Sequence, residues 1–295
     1  MTRLLGIGEC MIEMAPTAEG TFAMGFAGDT FNTCWYARRL AGPELRVGYL
    51  TAVGDDEPSQ RMADFMRDAG VEPEFTVRSG GSVGLYMISL KDGERSFSYW
   101  RSTSAARTLA DDLEGLPDMG DGDVALVSGI TLAILPEAGR TRLLEVLREA
   151  RTRGVRVAFD PNIRPKLWES AEAMRHWVMA AAGVCDIALP SHEDESTHFG
   201  DPDAAATARR YAEAGASLVV VKDGAGPVML LTPEGQDSVT PERVETVVDT
   251  TAAGDSFNAG FLVALLEGKP VAEAARAGCA LSARVIGARG ALVPV

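Results

Sequence analysis

Histidine and cysteine are scarce in this 295-residue chain, and long apolar runs are missing. The three histidines, His176, His192 and His198, form no H-E-x-x-H and no ligand pair at helical spacing, which disfavours a catalytic zinc site. The four cysteines, Cys10, Cys34, Cys185 and Cys279, are too scattered for a disulfide framework or a C-x-x-C metal pair, and they fit a reducing cytoplasm. No stretch reaches the about 18 apolar residues of a membrane span. The apolar opening, "MTRLLGIGECMIEM", is interrupted by Glu9 and followed by no small-residue cleavage site, so a buried first strand is expected there. Positive charge is also in short supply: 28 Lys and Arg face 42 Asp and Glu, a net charge of −14 that disfavours nucleic acid as a partner. A phosphate or an acidic metabolite must then be held by local cations against the overall field, so arginines in apolar or aromatic settings carry information. Two phosphate signatures are absent. There is no G-x-x-x-x-G-K-[ST], and "GIGECM" has Met11 where a dinucleotide fingerprint needs its third glycine.

What is present is a chain long enough, at 46% hydrophobic residues, to bury a sizeable core. Short β-branched runs such as "RVGYLTAVG", "DVALVSG" and "SLVVVKDG" alternate with helical patterns near 30–40, 58–69 and 171–182. That alternation predicts an α/β fold, a mainly parallel sheet with helices on both faces, in which ligands sit at the carboxyl ends of the strands. "GLYMISLKDGERSFSYWR" breaks the rhythm with two alternating runs around Asp92-Gly93, a hairpin signal that predicts a small accessory sheet, either a lid or a subunit contact. In it Phe97, Tyr99 and Arg101 share a face, joined by Tyr86 if the register allows. Ordinary cross-strand packing fits these residues as well as a binding surface does.

Near the C-terminal end stands "DTTAAGDSFNAGF", residues 249–261. Phe257, Phe261, Leu262, Leu265 and Leu266 recur at helical spacing, so Ala252, Ala253 and Gly254 lie at a helix N-terminus, where unpaired amides and the dipole suit an anion. Asp255 has two readings: a carboxylate that caps the helix, or a base that takes a proton from a hydroxyl attacking a phosphorus held there.

Other segments leave similar choices. In "AGDTFNT", Gly28 turns the chain and Asp29 or Thr30 caps a helix, or Asp29 and Asn32 present an acceptor and an amide to sugar hydroxyls. In "FDPNIRPKLW", Arg164 offers a rigid fork to a carboxylate or phosphate, or pairs with a neighbouring acid. "KDGAGPVML" is a plain hairpin turn or the edge of a nucleotide site, and "SHEDES" reads as a solvated acidic helix start.

Taken together, the glycine-aspartate turn, the accessory hairpin, the K-x-G-x-G turn at Lys222 to Gly226 and "DTTAAGDSF" resemble the ribokinase, or PfkB, family of carbohydrate kinases, from the first strand to the last helix. Within it, "GECMIEM", "AGDTFNT", "FSYWR", "VSGITLAIL" and "FDPNIRPKLW" are most similar to 2-dehydro-3-deoxygluconate kinases. The resemblance implies one ribokinase-like α/β/α domain over 1–295 with a small β-sheet lid from segments near 10–27 and 72–104. It further implies transfer of the ATP γ-phosphoryl group to the terminal hydroxyl of an acidic keto-sugar, with Mg²⁺ and with any K⁺-type monovalent-cation requirement left open. Asp255 would be the base and the amides of Ala252, Ala253, Gly254 and Asp255 the anion hole. Gly28, Asp29 and Asn32 would meet the sugar, and Tyr86, Tyr99, Arg101 and Arg164 its hydroxyls and carboxylate. Ser191, Lys222, Gly224, Gly226 and Gly254 would line the nucleotide. The family's N-x-x-E is here Ser191-His192-Glu193-Asp194, which makes Asp194 the metal-side candidate, with Glu195 behind it. The alternatives are a kinase of a neutral sugar and a sugar-binding protein without catalysis. The lid's unpaired edge predicts a homo-oligomer.

Overall fold

In chain order the strands and helices of the computed structural model are β1 (Thr2–Ile7), β2 (Met11–Pro16), β3 (Phe22–Ala27), α1 (Asp29–Leu40), β4 (Leu45–Gly54), α2 (Glu57–Asp68), β5 (Glu72–Arg78), β6 (Leu85–Lys91), β7 (Glu94–Trp100) and β8 (Val124–Ser128). There follow α3 (Gly129–Ile134), α4 (Glu137–Thr152), β9 (Arg156–Asp160), α5 (Ala171–Ala182), β10 (Ile187–Ala188), α6 (His192–Phe199), α7 (Ala204–Ala214), β11 (Leu218–Val221), β12 (Val228–Thr232), β13 (Gly235–Val239), α8 (Ala253–Leu266) and α9 (Val271–Val285). The structure describes residues 1–91 and 94–295, so the expected Asp92-Gly93 turn lies outside the described residues.

The described strands form a nine-stranded sheet ordered β13-β12-β11-β10-β9-β8-β1-β4-β5, parallel except for β12 and β13 at one edge. Its inner strands are apolar on both faces because both are covered. Along β1, Leu4 packs into one core and its neighbour Leu5 into another. The first core is closed by α1, α2, α8 and α9, the second by α3, α4, α5 and α7, giving three layers. Helix α8 runs through the first core, buried continuously from Ser256 to Ala264. It can lie tightly on α9 because Gly260 has no side chain: a Cβ there would stand 2.7 Å from the Ala277 carbonyl oxygen.

A second, four-stranded sheet is ordered β3-β2-β6-β7. The segment 72–78, expected in the lid, is instead β5 and pairs in parallel with β4 at the edge of the large sheet. The small sheet's inner face, with Met11, Ala27, Tyr86 and Ile88, packs against Ala291 and Ala252. It therefore stands directly beside the N-terminus of α8.

Candidate active site

The approach to α8 is shaped by Asp249, whose Oδ1 accepts from the Thr251 amide (3.1 Å) and hydroxyl (2.7 Å) and whose Oδ2 accepts from the Gly290 amide (2.8 Å). Ala252 then adopts the left-handed conformation, φ 59° and ψ 18°, unusual for a residue with a Cβ. The expected four-amide cradle is narrower than that. The Ala253 amide already donates to the Thr250 carbonyl (3.2 Å), and the first intrahelical bond runs from the Ser256 amide to the Ala252 carbonyl (2.9 Å). Between them, the amides of Gly254 and Asp255 stand at the helix mouth. A Cβ on Gly254 would meet only Lys222 Nζ, at 3.6 Å, so a cation stands beside the opening.

Asp255 does not cap the helix. Its Oδ2 accepts from Asn32 Nδ2 (2.8 Å), and its backbone carbonyl accepts from the Thr33 hydroxyl (3.1 Å), which fastens α8 to α1. Burial first, and then the nearby Asp29 carboxylate, push the Asp255 carboxyl up to about 8; the Asn32 bond and Lys222 pull it down, and Asp160 adds to the rise. Gly28 precedes α1 in extended conformation, so its role is space rather than φ: a Cβ would lie 2.1 Å from the Glu9 carbonyl oxygen. The Gly28 amide donates to Asn32 Oδ1 (3.3 Å), which orients the Asn32 amide group toward Asp255. Asp29 Oδ2 accepts from Asn162 Nδ2 (2.9 Å).

In the segment expected to line the nucleotide, Lys222 directly follows β11 and donates to Asp160 Oδ2 (2.8 Å) and Asn258 Oδ1 (3.2 Å). The turn that follows holds Gly224 at φ 54° and closes with the Gly226 amide on the Asp223 carbonyl (2.6 Å). Ser191 forms a bridge with Lys222 just before α6. Asp194 is half-buried in the first turn of α6, and burial raises its carboxyl, with the Arg164 charge acting against the rise. Glu195, one residue on, is not part of a solvated acidic face. It is fully buried, accepting from Tyr211 Oη (2.9 Å) and Arg210 Nη2 (2.6 Å), so it belongs to the packing between α6 and α7 rather than to a metal site.

On the lid, Tyr86 and Tyr99 face each other in register with ring centroids 5.9 Å apart, and Phe97 stacks on Tyr99 at 6.3 Å. Tyr86 is buried and donates to the Glu13 carboxylate, while Tyr99 is 52% exposed. Arg101 is engaged in part: its Nη2 is bonded to Glu9, whose side chain is wholly buried, while its Nε is buried with no hydrogen-bond partner among the described residues. Arg164 is exposed and, among the described residues, makes no ion pair; its Nη1 donates to the Ile163 carbonyl (2.9 Å). Sequence reasoning missed Glu9, Glu13, Asp160 and Asn258. Asp160 sits at a strand's carboxyl end and Asn258 three residues after Asp255 on one helix face, signals that were available.

This geometry joins a helix mouth, a lysine, a buried carboxylate and an aromatic lid at the carboxyl ends of a parallel sheet. A family model described as "pfkB family carbohydrate kinase" matches residues 1–295. The chain is 38% identical over 297 residues to the 2-dehydro-3-deoxygluconokinase of Escherichia coli, covering 98% of this chain and 96% of that one. It is 35% identical over 303 residues to the enzyme of the same name from Haemophilus influenzae, covering 99% and 96%. Its fold is similar to the crystal structure of a Vibrio cholerae fructokinase with fructose, ADP and calcium bound, at a TM-score of 0.85 and 24% identity over 99% of this chain and 94% of that one. The chain thus belongs to the PfkB family, has the ribokinase-like fold, and is an ATP-dependent sugar kinase.

Proposed function

We propose that the protein, as one domain over residues 1–295, phosphorylates the terminal hydroxyl of 2-dehydro-3-deoxy-D-gluconate to the 6-phosphate. The observation that carries the chemistry is the placement of the Asp255 carboxyl in the first turn of α8, beside the Gly254 amide and Lys222 Nζ. The hydroxyl oxygen forms its bond to the γ-phosphorus as the bond to the leaving ADP oxygen breaks, and the hydroxyl proton passes to Asp255. The Gly254 and Asp255 amides and Lys222 face the charge on the transferring group. The names of relatives at 35–38% identity favour the acidic keto-sugar, and Arg164, exposed and without an ion pair among the described residues, and Arg101, with an unpartnered Nε, would be the cations that meet its carboxylate.

Magnesium fits this site as an ion carried by the nucleotide. Among the described residues no group of three or more His, Cys, Asp or Glu side chains is placed to hold a metal, and Mg²⁺ is usually held by substrate phosphates and waters with one or two carboxylates. Asp194 would be that carboxylate, and the ion would neutralise phosphate charge.

A coupled ADP-release assay with 2-dehydro-3-deoxygluconate, its galactonate epimer, fructose and ribose tests the assignment. Preference for either keto-acid by at least tenfold in kcat/KM is expected, with the gluconate compound ahead; preference for fructose or ribose overturns it. The lid's outer face, where Phe22, Met24 and Trp100 are 44%, 37% and 58% exposed, is proposed to pair with a second subunit, and a monomer by light scattering at assay concentration removes that pairing.

A further inference from the structure

We infer that Asp160 is a positioning residue of the phosphoryl-transfer centre: it pins the Lys222 ammonium beside the mouth of α8, and the two together set the charge that Asp255 meets. The inference rests on the reading of Asp255 as the base. Asp160 closes β9, is 6% exposed, and is bonded on both oxygens. Oδ2 accepts from Lys222 Nζ (2.8 Å) and Asn258 Nδ2 (2.6 Å), and Oδ1 accepts from the Asn162 amide (3.1 Å). Lys222 also donates to Asn258 Oδ1 (3.2 Å), which closes a triangle between the end of β11, the end of β9 and α8.

A lysine has a four-carbon stem and a point charge that by itself selects no direction. Two acceptors on two different elements remove that freedom and hold Nζ 3.6 Å from where a Gly254 Cβ would be. Stability alone is a weak reason for the pair, since a buried ion pair is commonly replaceable by apolar groups without loss. Its position at the carboxyl edge of the sheet, bonded to Asn258 of the helix that carries the base, is what a charge-setting device requires. The groups around Asp255 are Asp29, Asn32 and Tyr36 from α1, Asp160 from β9, Lys222 just after β11 and Asn258 from α8 itself, which lines the same small cavity. Asp160 and Lys222 act on Asp255 with opposite signs, so removing one leaves the other unbalanced.

Carboxyl ¹³C NMR of the aspartate-labelled, ligand-free full chain tests this, with the Asp255 signal assigned by its loss in Asp255→Asn. Asp160→Asn should lower the Asp255 midpoint and Lys222→Met should raise it, each by about one pH unit or more. The acid limb of kcat/KM should move in the same two directions. Midpoints that stay fixed, or that move the same way in both variants, overturn the inference. If Asp160→Asn fails to fold, Lys222→Met decides by itself, and an unmoved or lowered midpoint overturns it. The NMR readout needs no turnover, so a protein that ignores keto-acids sinks the substrate assignment and leaves this result to be judged separately.

Discussion

Two helices carry an acid in their first turn, Asp255 half-buried in α8 and Glu195 fully buried in α6, and loss of hydration raises both carboxyls, to about 8 and about 7. Their partners differ. Glu195 is met by a guanidinium and a phenol, so each oxygen has a strong donor and neither has anything left to do. Asp255 is met by one neutral amide on one oxygen, with a cation nearby that is bonded elsewhere. The pair teaches that burial alone does not mark a reactive acid. Under the proposed base role, what sets Asp255 apart is unspent acceptor capacity beside an opening.

The sharpest way to break this contrast is Asp255→Asn. A lost general base lowers kcat by about 10²–10⁴-fold, while ATP binding by calorimetry should persist. Near-normal turnover would place Asp255 with Glu195 among the structural acids. The mirror experiment is Arg210→Met, which strands Glu195 and should cost about 3–5 kcal/mol in denaturant unfolding, with the KM values of the folded fraction little changed.

Next in size are the two arginines. Charge-assisted bonds of about 1.5–3 kcal/mol correspond to a rise of about 10- to 100-fold in KM for the keto-acid in Arg164→Met and Arg101→Met, with the KM for ATP unmoved. Only Arg101→Met should also lower the melting temperature, because it leaves the wholly buried Glu9 unpaired. Equal melting temperatures for the two variants would mean that Glu9 is not held by Arg101 in solution.

The last test concerns pH and stability. The folded-state value of about 8 for Asp255 lies above its ordinary 3.8, so the folded protein binds that proton more tightly than the unfolded chain does. The resulting stability is fully present below about pH 4 and is lost as the pH rises through 8. Asp255→Asn removes this dependence. Its melting temperature should exceed the wild type's at pH 9, with the gap closing toward pH 5, and a gap that widens on acidification would contradict the assigned sign.

Much of this was legible in the chain. The alternation of apolar runs with helical spacing announced the layered sheet because buried parallel strands need covers on both sides. The small residues before Asp255 announced a helix mouth. Partner choice was not legible. "EPEFTVR" has the same alternation whether it pairs with β4 or with the lid, and nothing in its pattern names the neighbour. Glu195 read as solvated because its guanidinium lies 15 residues away on another helix. Asp160 and Asn258 are single polar residues in apolar runs, and only three-dimensional closure joins them to Lys222.

Ala252 gives the helix mouth a further property. A non-glycine residue at φ 59° is disfavoured by itself and persists because its surroundings hold it, the lid's inner face packing against it. The backbone that aims the Gly254 and Asp255 amides is thus fixed during folding, by packing rather than by the ligand. If those amides form the proposed anion hole, each turnover begins with the donors already oriented, and the reorganisation that a slack loop would repeat every time is confined to a single event in the life of the molecule.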